Sequence, residues 1–283
     1  KGECEASKAW DDFSEKYTED DDEGRSKAGK LVRACYSLVG DANDGVREAA
    51  TDCVVYYGEA LDDKKGAIRT FISRIPTEKS EGVRSSQARA LDTLDPVKNG
   101  GAAEVLAIAK SLLGNEDTRH LVSPLMDALT PRRSEGEPDA ESIKFAIELT
   151  KDMKYNPGRS VGATVLGHAP SKAGEVCPAL LALVETKKHP YFDGLRAMAD
   201  LKGACSAQYD AVITVLLAKL EEGEGYDKGF GAIEAIYLTR MLEHPGFTPE
   251  QKKKLLGPVE KRAAAEKNET SQKSFADLVA KLK

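Results

Sequence analysis

Five cysteines are the residues of this chain whose side chains could form covalent cross-links or bind a metal ion. No two of them have Cys-x-x-Cys spacing, and no histidine lies near enough in sequence to complete a zinc site. Cys35 and Cys53 fall on consecutive predicted helices, and Cys177 and Cys205 fall in neighbouring helical units, so either pair could form a disulfide. The alternative is buried free thiols, because unpaired cysteine is among the most buried residue types.

No catalytic, cofactor-binding or metal-binding residue is predicted. None of the histidines pairs with another histidine, a cysteine or a carboxylate at a recognised ligand spacing; they are His120, His168, His189 and His244. The glycine-rich stretch 223–231 lacks the preceding strand that a phosphate loop requires. The segment 41–45 lacks both the spacing and the closing glutamate of a calcium loop. We therefore expect a protein that is not an enzyme and needs no cofactor.

Apolar residues recur at steps of three and four along most of the chain, which is the spacing of one helix face. In the segment 28–39 this face consists of Leu31, Val32, Cys35, Leu38 and Val39. No alternating run bounded by a hairpin turn suggests strands. The pattern predicts an all-α protein with a leading helix near 4–18 and about seven antiparallel helix pairs after it.

A four-residue motif recurs at the predicted start of the second helix in successive pairs. Asp-Gly-Val-Arg at 44–47 is followed 37 residues later by Glu-Gly-Val-Arg at 81–84. Glu-Asp-Thr-Arg at 116–119 and Asn-Pro-Gly-Arg at 156–159 follow after a further 35 and 40 residues. Periods of this length are typical of two-helix repeat arrays.

These motifs resemble those of the HEAT-repeat and armadillo-like α-solenoid family, in which Asp-x-x-Val-Arg precedes a stripe of small residues. The resemblance covers about residues 26–245 and implies a right-handed α-solenoid. It also implies a structural ladder between neighbouring repeats, formed here by Arg47, Arg84, Arg119 and Arg159. We predict an acidic N-terminal helix or cap at 1–25, HEAT-like repeats at 26–245, and a Lys-rich C-terminal capping helix pair at 246–283, since solenoids need polar ends.

Charge is distributed unevenly along the chain, whose net charge is −6. Residues 1–24 contain ten acids and three bases, whereas residues 249–283 contain nine bases and five acids. An acidic protein lacks the basic surface that nucleic-acid binding requires, so no nucleic-acid partner is expected. No stretch is long and apolar enough to span a membrane. The acidic run favours a partner with basic patches, and its candidate contact residues are Asp20, Asp21 and Asp22.

The predicted function is a non-enzymatic scaffold that binds a protein or peptide on a solenoid surface. Exposed aromatic side chains on or beside second helices are the candidate anchors: Tyr56, Tyr57, Tyr155, Tyr191, Phe192 and Tyr226. For half or more of them the alternative is packing between repeats, because aromatic residues at helical spacing usually belong to a core. Two other functions stay open by analogy with the family: a HEAT-like enzyme of lyase or glycosylase type, and a structural envelope or surface protein.

The location of the protein is predicted from two weak signals. The chain begins with Lys1 rather than Met, which a cleaved signal peptide, a lipoprotein leader with an upstream lipid anchor, or trimming would explain. Disulfides persist in oxidising compartments. Together these favour an exported protein, in the periplasm, on a lipoprotein or at the cell surface, with a cytoplasmic location as the alternative.

Overall fold

The computed structural model describes residues 22–131, 136–186, 191–221 and 230–283, with side chains from residue 27 onward. These ranges contain fifteen α-helices and no strand. The predicted all-α fold is confirmed for this part of the chain. Several predictions lie outside it: the leading helix near 4–18, Asp20, Asp21, the side chain of Asp22, and Tyr226.

The chain divides into two compact units, Lys1–Ser134 and Glu135–Lys283. In the first unit the helices are α1 (Asp22–Leu38), α2 (Asp44–Tyr57), α3 (Lys64–Arg74), α4 (Glu81–Leu94), the short α5 (Pro96–Asn99), α6 (Ala102–Leu113) and α7 (Val122–Asp127). In the second unit they are α8 (Ala140–Lys151), α9 (Asn156–Leu166), α10 (Ala173–Glu185), α11 (Tyr191–Asp200), α12 (Tyr209–Glu221), α13 (Ala232–Leu242), α14 (Pro249–Ala265) and α15 (Glu269–Leu282).

Side-chain caps fix where several helices begin. The Asn43 side chain accepts a hydrogen bond from the Val46 backbone N–H at the start of α2. At the start of α14, Thr248 and Gln251 form the predicted reciprocal capping box, with Pro249 in the first turn. Such caps satisfy backbone N–H groups that have no partner inside the helix.

One predicted helix start is displaced. The second helix of the third pair was expected to begin at Glu116, but α7 begins at Val122 after a 3₁₀ turn, Arg119–Leu121. The Asn115 carbonyl accepts the backbone N–H groups of Thr118 and Arg119. This tight turn closes before a regular helix can form.

Within the first unit the helices pack in two layers. The pairs α1–α2, α3–α4 and α6–α7 are connected by short segments, so their members run in opposite directions. In the second layer α2 packs on α4 and α4 packs on α7; in the first layer α3 packs on α6. The Tyr36 and Thr70 hydroxyls, 2.7 Å apart, add a hydrogen bond between α1 and α3.

The second unit repeats this arrangement. Its first layer consists of α8, α10, α12 and α14, and its second layer consists of α9, α11, α13 and α15, each helix packing on the next in its layer. The described residues therefore contain three pairs in the first unit and four in the second, in agreement with the predicted number. Since no pair can cover its own apolar face, each pair completes the core of its neighbours within its unit.

Small residues let the paired helices approach closely. Gly162 of α9 faces α8, and a Cβ placed there would lie 2.7 Å from the Ala146 carbonyl oxygen and 3.2 Å from the Leu149 Cβ. The backbone oxygen cannot move aside as a flexible side chain would, so this position requires glycine.

We expect Gly162→Ala to lower the free energy of unfolding by about 1–3 kcal/mol, the usual cost of overpacking a core. Gly174→Ala in α10 is the matched control, since Gly174 is exposed and no atom of a neighbouring element lies within 4 Å of its added Cβ. There the substitution should stabilise by about 0.5–1 kcal/mol, because alanine restricts the unfolded chain and favours a helix. Urea denaturation measures both; equal effects of the two substitutions would contradict the close approach of α8 and α9.

Candidate functional site

Both candidate cysteine pairs are disulfides in the structure. Cys35–Cys53 joins α1 to α2, with Cα atoms 6.2 Å apart. Cys177–Cys205 joins α10 to the turn that precedes α12, with Cα atoms 5.4 Å apart. Each disulfide therefore links segments of the two-layer array.

In the described ranges no group of three or more His, Cys, Asp and Glu side chains is arranged to hold a metal ion. None of the described helices is long and apolar enough to cross a membrane.

The predicted aromatic anchors separate into buried and accessible residues. Tyr155 is 6% exposed and Tyr191 is 1% exposed, so the prediction that they contact a partner is wrong: both rings pack inside the second unit. Tyr155 lies against Gly158 in the first turn of α9. Phe192 is half-buried, with its ring 4.2 Å from that of Tyr191.

In the first unit, α2 carries an aromatic side chain that is exposed to solvent. Tyr56 is 63% exposed and Tyr57 is half-buried. Asp52 lies one helical turn before Tyr56 on the same face, and its carboxylate accepts hydrogen bonds from the Ser86 hydroxyl at 2.6 Å and from Arg89 at 3.2 Å. We call the exposed surface of α2 and α4 around these residues the Tyr56 face.

Carboxylates predominate on the Tyr56 face. Glu48 lies two turns before Tyr56 and sits over Gly82 of α4, where an added Cβ would be 2.5 Å from its Oε1. Glu59 is exposed just beyond the end of α2. Asp52 is the carboxylate one turn before Tyr56, Glu48 lies a further turn away, and Arg89 pairs with Asp52.

Arg47 forms a contact between neighbouring helix pairs. Its Nε and Nη2 donate to the two carboxylate oxygens of Glu78 at 2.9 and 2.8 Å, which joins α2 to the turn between α3 and α4. Its Nη1 donates to the carbonyl oxygens of Asp41 and Ala42. The hydrogen bonds from Arg47 hold the pKa of Glu78 below its ordinary value.

The other predicted ladder arginines differ from Arg47. Arg159 is buried and donates to the Thr150 carbonyl oxygen at 3.3 Å, within its own helix pair. The Nε atom of Arg84 is buried and has no hydrogen-bond partner among the described residues, and Arg119 lies in the 3₁₀ turn before α7.

Polar contacts between successive second-layer helices use residues that the motif did not indicate. In the second unit these contacts are Ser160 with Asp193, Thr164 with Arg196, and Asp200 with Arg240. In the first unit the corresponding contacts are those of Asp52. They lie in the middle and at the ends of the helices, whereas the sequence motif marks only helix starts.

We expect Arg47→Gln to lower the free energy of unfolding clearly more than Arg89→Gln does, because it leaves the largely buried Glu78 carboxylate without its main partner. Arg89→Gln removes an arginine from an exposed ion pair and should cost less than about 0.5 kcal/mol. Comparison of the two urea midpoints checks this. A cost for Arg89→Gln as large as that for Arg47→Gln would contradict the structural role of Arg47.

A buried polar cluster in the second unit was not predicted. The Tyr191 hydroxyl donates to the carboxylate of Glu234, and the Gly231 backbone N–H donates to the other carboxylate oxygen at 3.0 Å. The Lys219 ammonium lies 4.2 Å from the centre of the Tyr191 ring. Burial raises the pKa of Glu234 to about 7.

Several observations identify this cluster as a structural one. Tyr191, Lys219 and Glu234 are each at most 1% exposed, so a substrate has no access to them from solvent. Their contacts join α11, α12 and α13, which are neighbours in the array. The only sequence signal was Glu234 three residues after Gly231, which is the spacing of a helix cap.

Comparison with known proteins gives a structural likeness. No protein-family model matches the chain, and no curated protein matches its sequence. Among solved structures, the chain is similar to the archaeal HEAT-like repeats protein from Thermococcus onnurineus NA1. The two chains are 13% identical, the similarity covers 92% of each, and the TM-score is 0.45. The likeness is one of fold and carries no information about function.

Proposed function

We propose that this protein is a non-enzymatic scaffold that binds another protein or a peptide through the Tyr56 face. The observation that carries the proposal is the 63% exposure of the Tyr56 side chain on a second-layer helix. Tyrosine offers a large contact area at a small cost in conformational entropy, and it is enriched where protein surfaces bind tightly.

The charge of the Tyr56 face supports a specific kind of partner. The carboxylates nearest to Tyr56 along the chain are Asp52 and Glu59, with Glu48 one turn further away, and Arg89 already pairs with Asp52. A partner that presents cationic side chains around an apolar or aromatic group would complement this surface, and its association would slow as salt is added.

Site-specific photo-crosslinking tests the proposal in the organism that produces the protein. A photoreactive phenylalanine analogue at position 56 should cross-link a partner, whereas the same analogue at Ile236, an exposed apolar position on α13, should not. Tyr56→Ala should abolish recovery of that partner by affinity capture, with Ile236→Ala as the control. Equal cross-linking from both positions, or capture that Tyr56→Ala does not change, would contradict the proposed surface.

We also propose that the protein works in an oxidising compartment. The support is the pair of disulfides, whose cysteines are mostly buried between helices. A thiol count on unreduced, denatured protein from its native source should find one free thiol of the five cysteines, and five would contradict the proposal.

A further inference from the structure

A cleft of about 300 Å³ lies in the first unit, between the turn that joins α1 to α2 and the turn that joins α3 to α4. Its lining residues are Asp41, Arg47, Arg74, Thr77, Glu78 and Lys79. Three of them are cations and two are carboxylates, so the lining has a net charge of +1. This local charge is opposite in sign to that of the whole chain, which is −6.

One ion pair makes the cleft wall rigid and contributes no net charge. Arg47 and Glu78 form the bidentate pair described above, and both side chains are largely buried. Glu78 also accepts the backbone N–H groups of Lys79 and Ser80. The hydrogen-bonding capacity of this pair is therefore used within the protein, and a ligand would have to bind the other residues of the cleft.

Two cations of the cleft are not neutralised. The Arg74 guanidinium and the Lys79 ammonium form no hydrogen bond or ion pair with any residue in the described part of the chain. The guanidinium lies against the backbone of Gly40, where an added Cβ would be 2.5 Å from Nη2. The Arg74 guanidinium can occupy this position because residue 40 has no side chain. By contrast, the Thr77 hydroxyl already donates to the Arg74 carbonyl oxygen.

We propose that this cleft binds a monoanionic carboxylate, with Arg74 as the principal donor and Lys79 as the second cation. The planar fork of a guanidinium matches the two oxygens of a carboxylate. Asp41 limits the charge that the cleft accepts: a monoanion balances the net charge of +1, whereas a phosphate dianion would leave excess negative charge beside the Asp41 carboxylate. A volume of about 300 Å³ is at the small end for ligand pockets, so it suits one amino-acid residue.

Such a carboxylate could belong to the C-terminus or to an acidic side chain of a peptide. The site is separate from the Tyr56 face, because Arg47 and Tyr56 lie nine residues apart on α2, about 13 Å along the helix axis. Carboxylate binding can therefore fail while the Tyr56 face binds its partner, and the reverse.

Calorimetric titration of the full chain with four small probes tests the proposal. N-acetylglycine represents a C-terminal carboxylate, N-acetylaspartic acid α-amide represents a side-chain carboxylate, and N-acetylglycinamide is the neutral control. Inorganic phosphate is the dianion, because all four titrations are done at about pH 8. We expect both carboxylates to bind more tightly than phosphate and the neutral amide not to bind. The carboxylate probe that binds more tightly shows whether the cleft prefers a peptide C-terminus or an acidic side chain.

Three variants assign the binding to the cleft. Arg74→Gln should weaken carboxylate binding at least tenfold, whereas Arg69→Gln, which removes an exposed arginine from the same helix, should change it less than twofold. Gly40→Ala should weaken binding at least threefold without changing the charge, since its Cβ displaces the guanidinium. Circular dichroism checks that each variant is folded.

Three results would overturn the proposal. Equal losses in Arg74→Gln and Arg69→Gln would mean general attraction to positive charge, and tighter binding of phosphate would mean a different ligand class. No binding of either carboxylate to the wild-type chain at tens of millimolar would mean that the cleft is only a solvated surface.

Discussion

Replacing Cys177 and Cys205 with alanine should lower the free energy of unfolding by about 3–4 kcal/mol. The disulfide closes a loop with a sequence separation of 28 residues, and a loop of this size constrains the unfolded chain by about that amount in the chain-entropy model. Both cysteines are buried, and alanine adds no polar group to their surroundings. Urea denaturation of the double variant and of the oxidised wild type measures the difference.

Reduction supplies the control for this prediction. A reductant should destabilise the wild type by at least as much as the double substitution, since it also opens Cys35–Cys53. The variant in which all four cysteines are alanine should not respond to the reductant. If the wild type were equally stable with and without reductant, the claim that the two disulfides stabilise the fold would be contradicted.

The second large effect concerns the buried carboxyl group of Glu234 in the second unit. Burial raises its pKa from 4.5 to about 7 in the folded protein. The folded state therefore binds this proton more tightly than the unfolded state does. The contribution of Glu234 to stability is fully present below about pH 4.5 and is lost as pH rises through about 7, by a total on the order of 3 kcal/mol.

Burial of Glu234 and the polar groups around it shift its pKa in opposite directions. The Tyr191 hydroxyl and the Gly231 N–H donate to the carboxylate, and the charge of Arg262 on α14 favours its ionised form. Lys219 lies over the Tyr191 ring. Desolvation outweighs these contacts, since the pKa is raised and not lowered.

The measurement is the free energy of unfolding against pH for the wild type and Glu234→Gln. Glutamine cannot ionise, so the difference between the two proteins should change by about 3 kcal/mol between pH 4.5 and pH 8, in favour of the variant at high pH. Glu175→Gln, at an exposed position on α10, should give a curve parallel to that of the wild type. Parallel curves for all three proteins would mean that Glu234 has an ordinary pKa.

The sequence predicted the fold well because helix periodicity and helix caps are local properties. The apolar stripe at 28–39 lies within α1 and the turn after it, and Thr248 caps α14 as its spacing indicated. The repeat of Asp-Gly-Val-Arg gave the approximate number of helix pairs. The late start of α7 was missed because it depends on how the turn at Asn115 closes.

The candidate site was harder to predict, because burial depends on which helices cover a residue. Tyr56 and Tyr155 are the same residue type beside predicted second helices, yet one is exposed and the other packs on Gly158. Arg47 was predicted to be structural, but its partner Glu78 is 31 residues away in a turn without a motif. The cleft around Arg74 depends on the absence of a side chain at Gly40, which has no periodic signal.

Hydrogen–deuterium exchange tests the proposed scaffold function most directly. It compares the free chain with its non-covalent complex with the partner that cross-linking identifies. We expect binding to slow exchange in α2 and α4, where the Tyr56 face lies, and to leave exchange in the first-layer helices α1 and α3 unchanged. Added salt should weaken this protection. Protection confined to α1 and α3, or no change in α2 and α4 when the partner is bound, would contradict a binding surface centred on Tyr56.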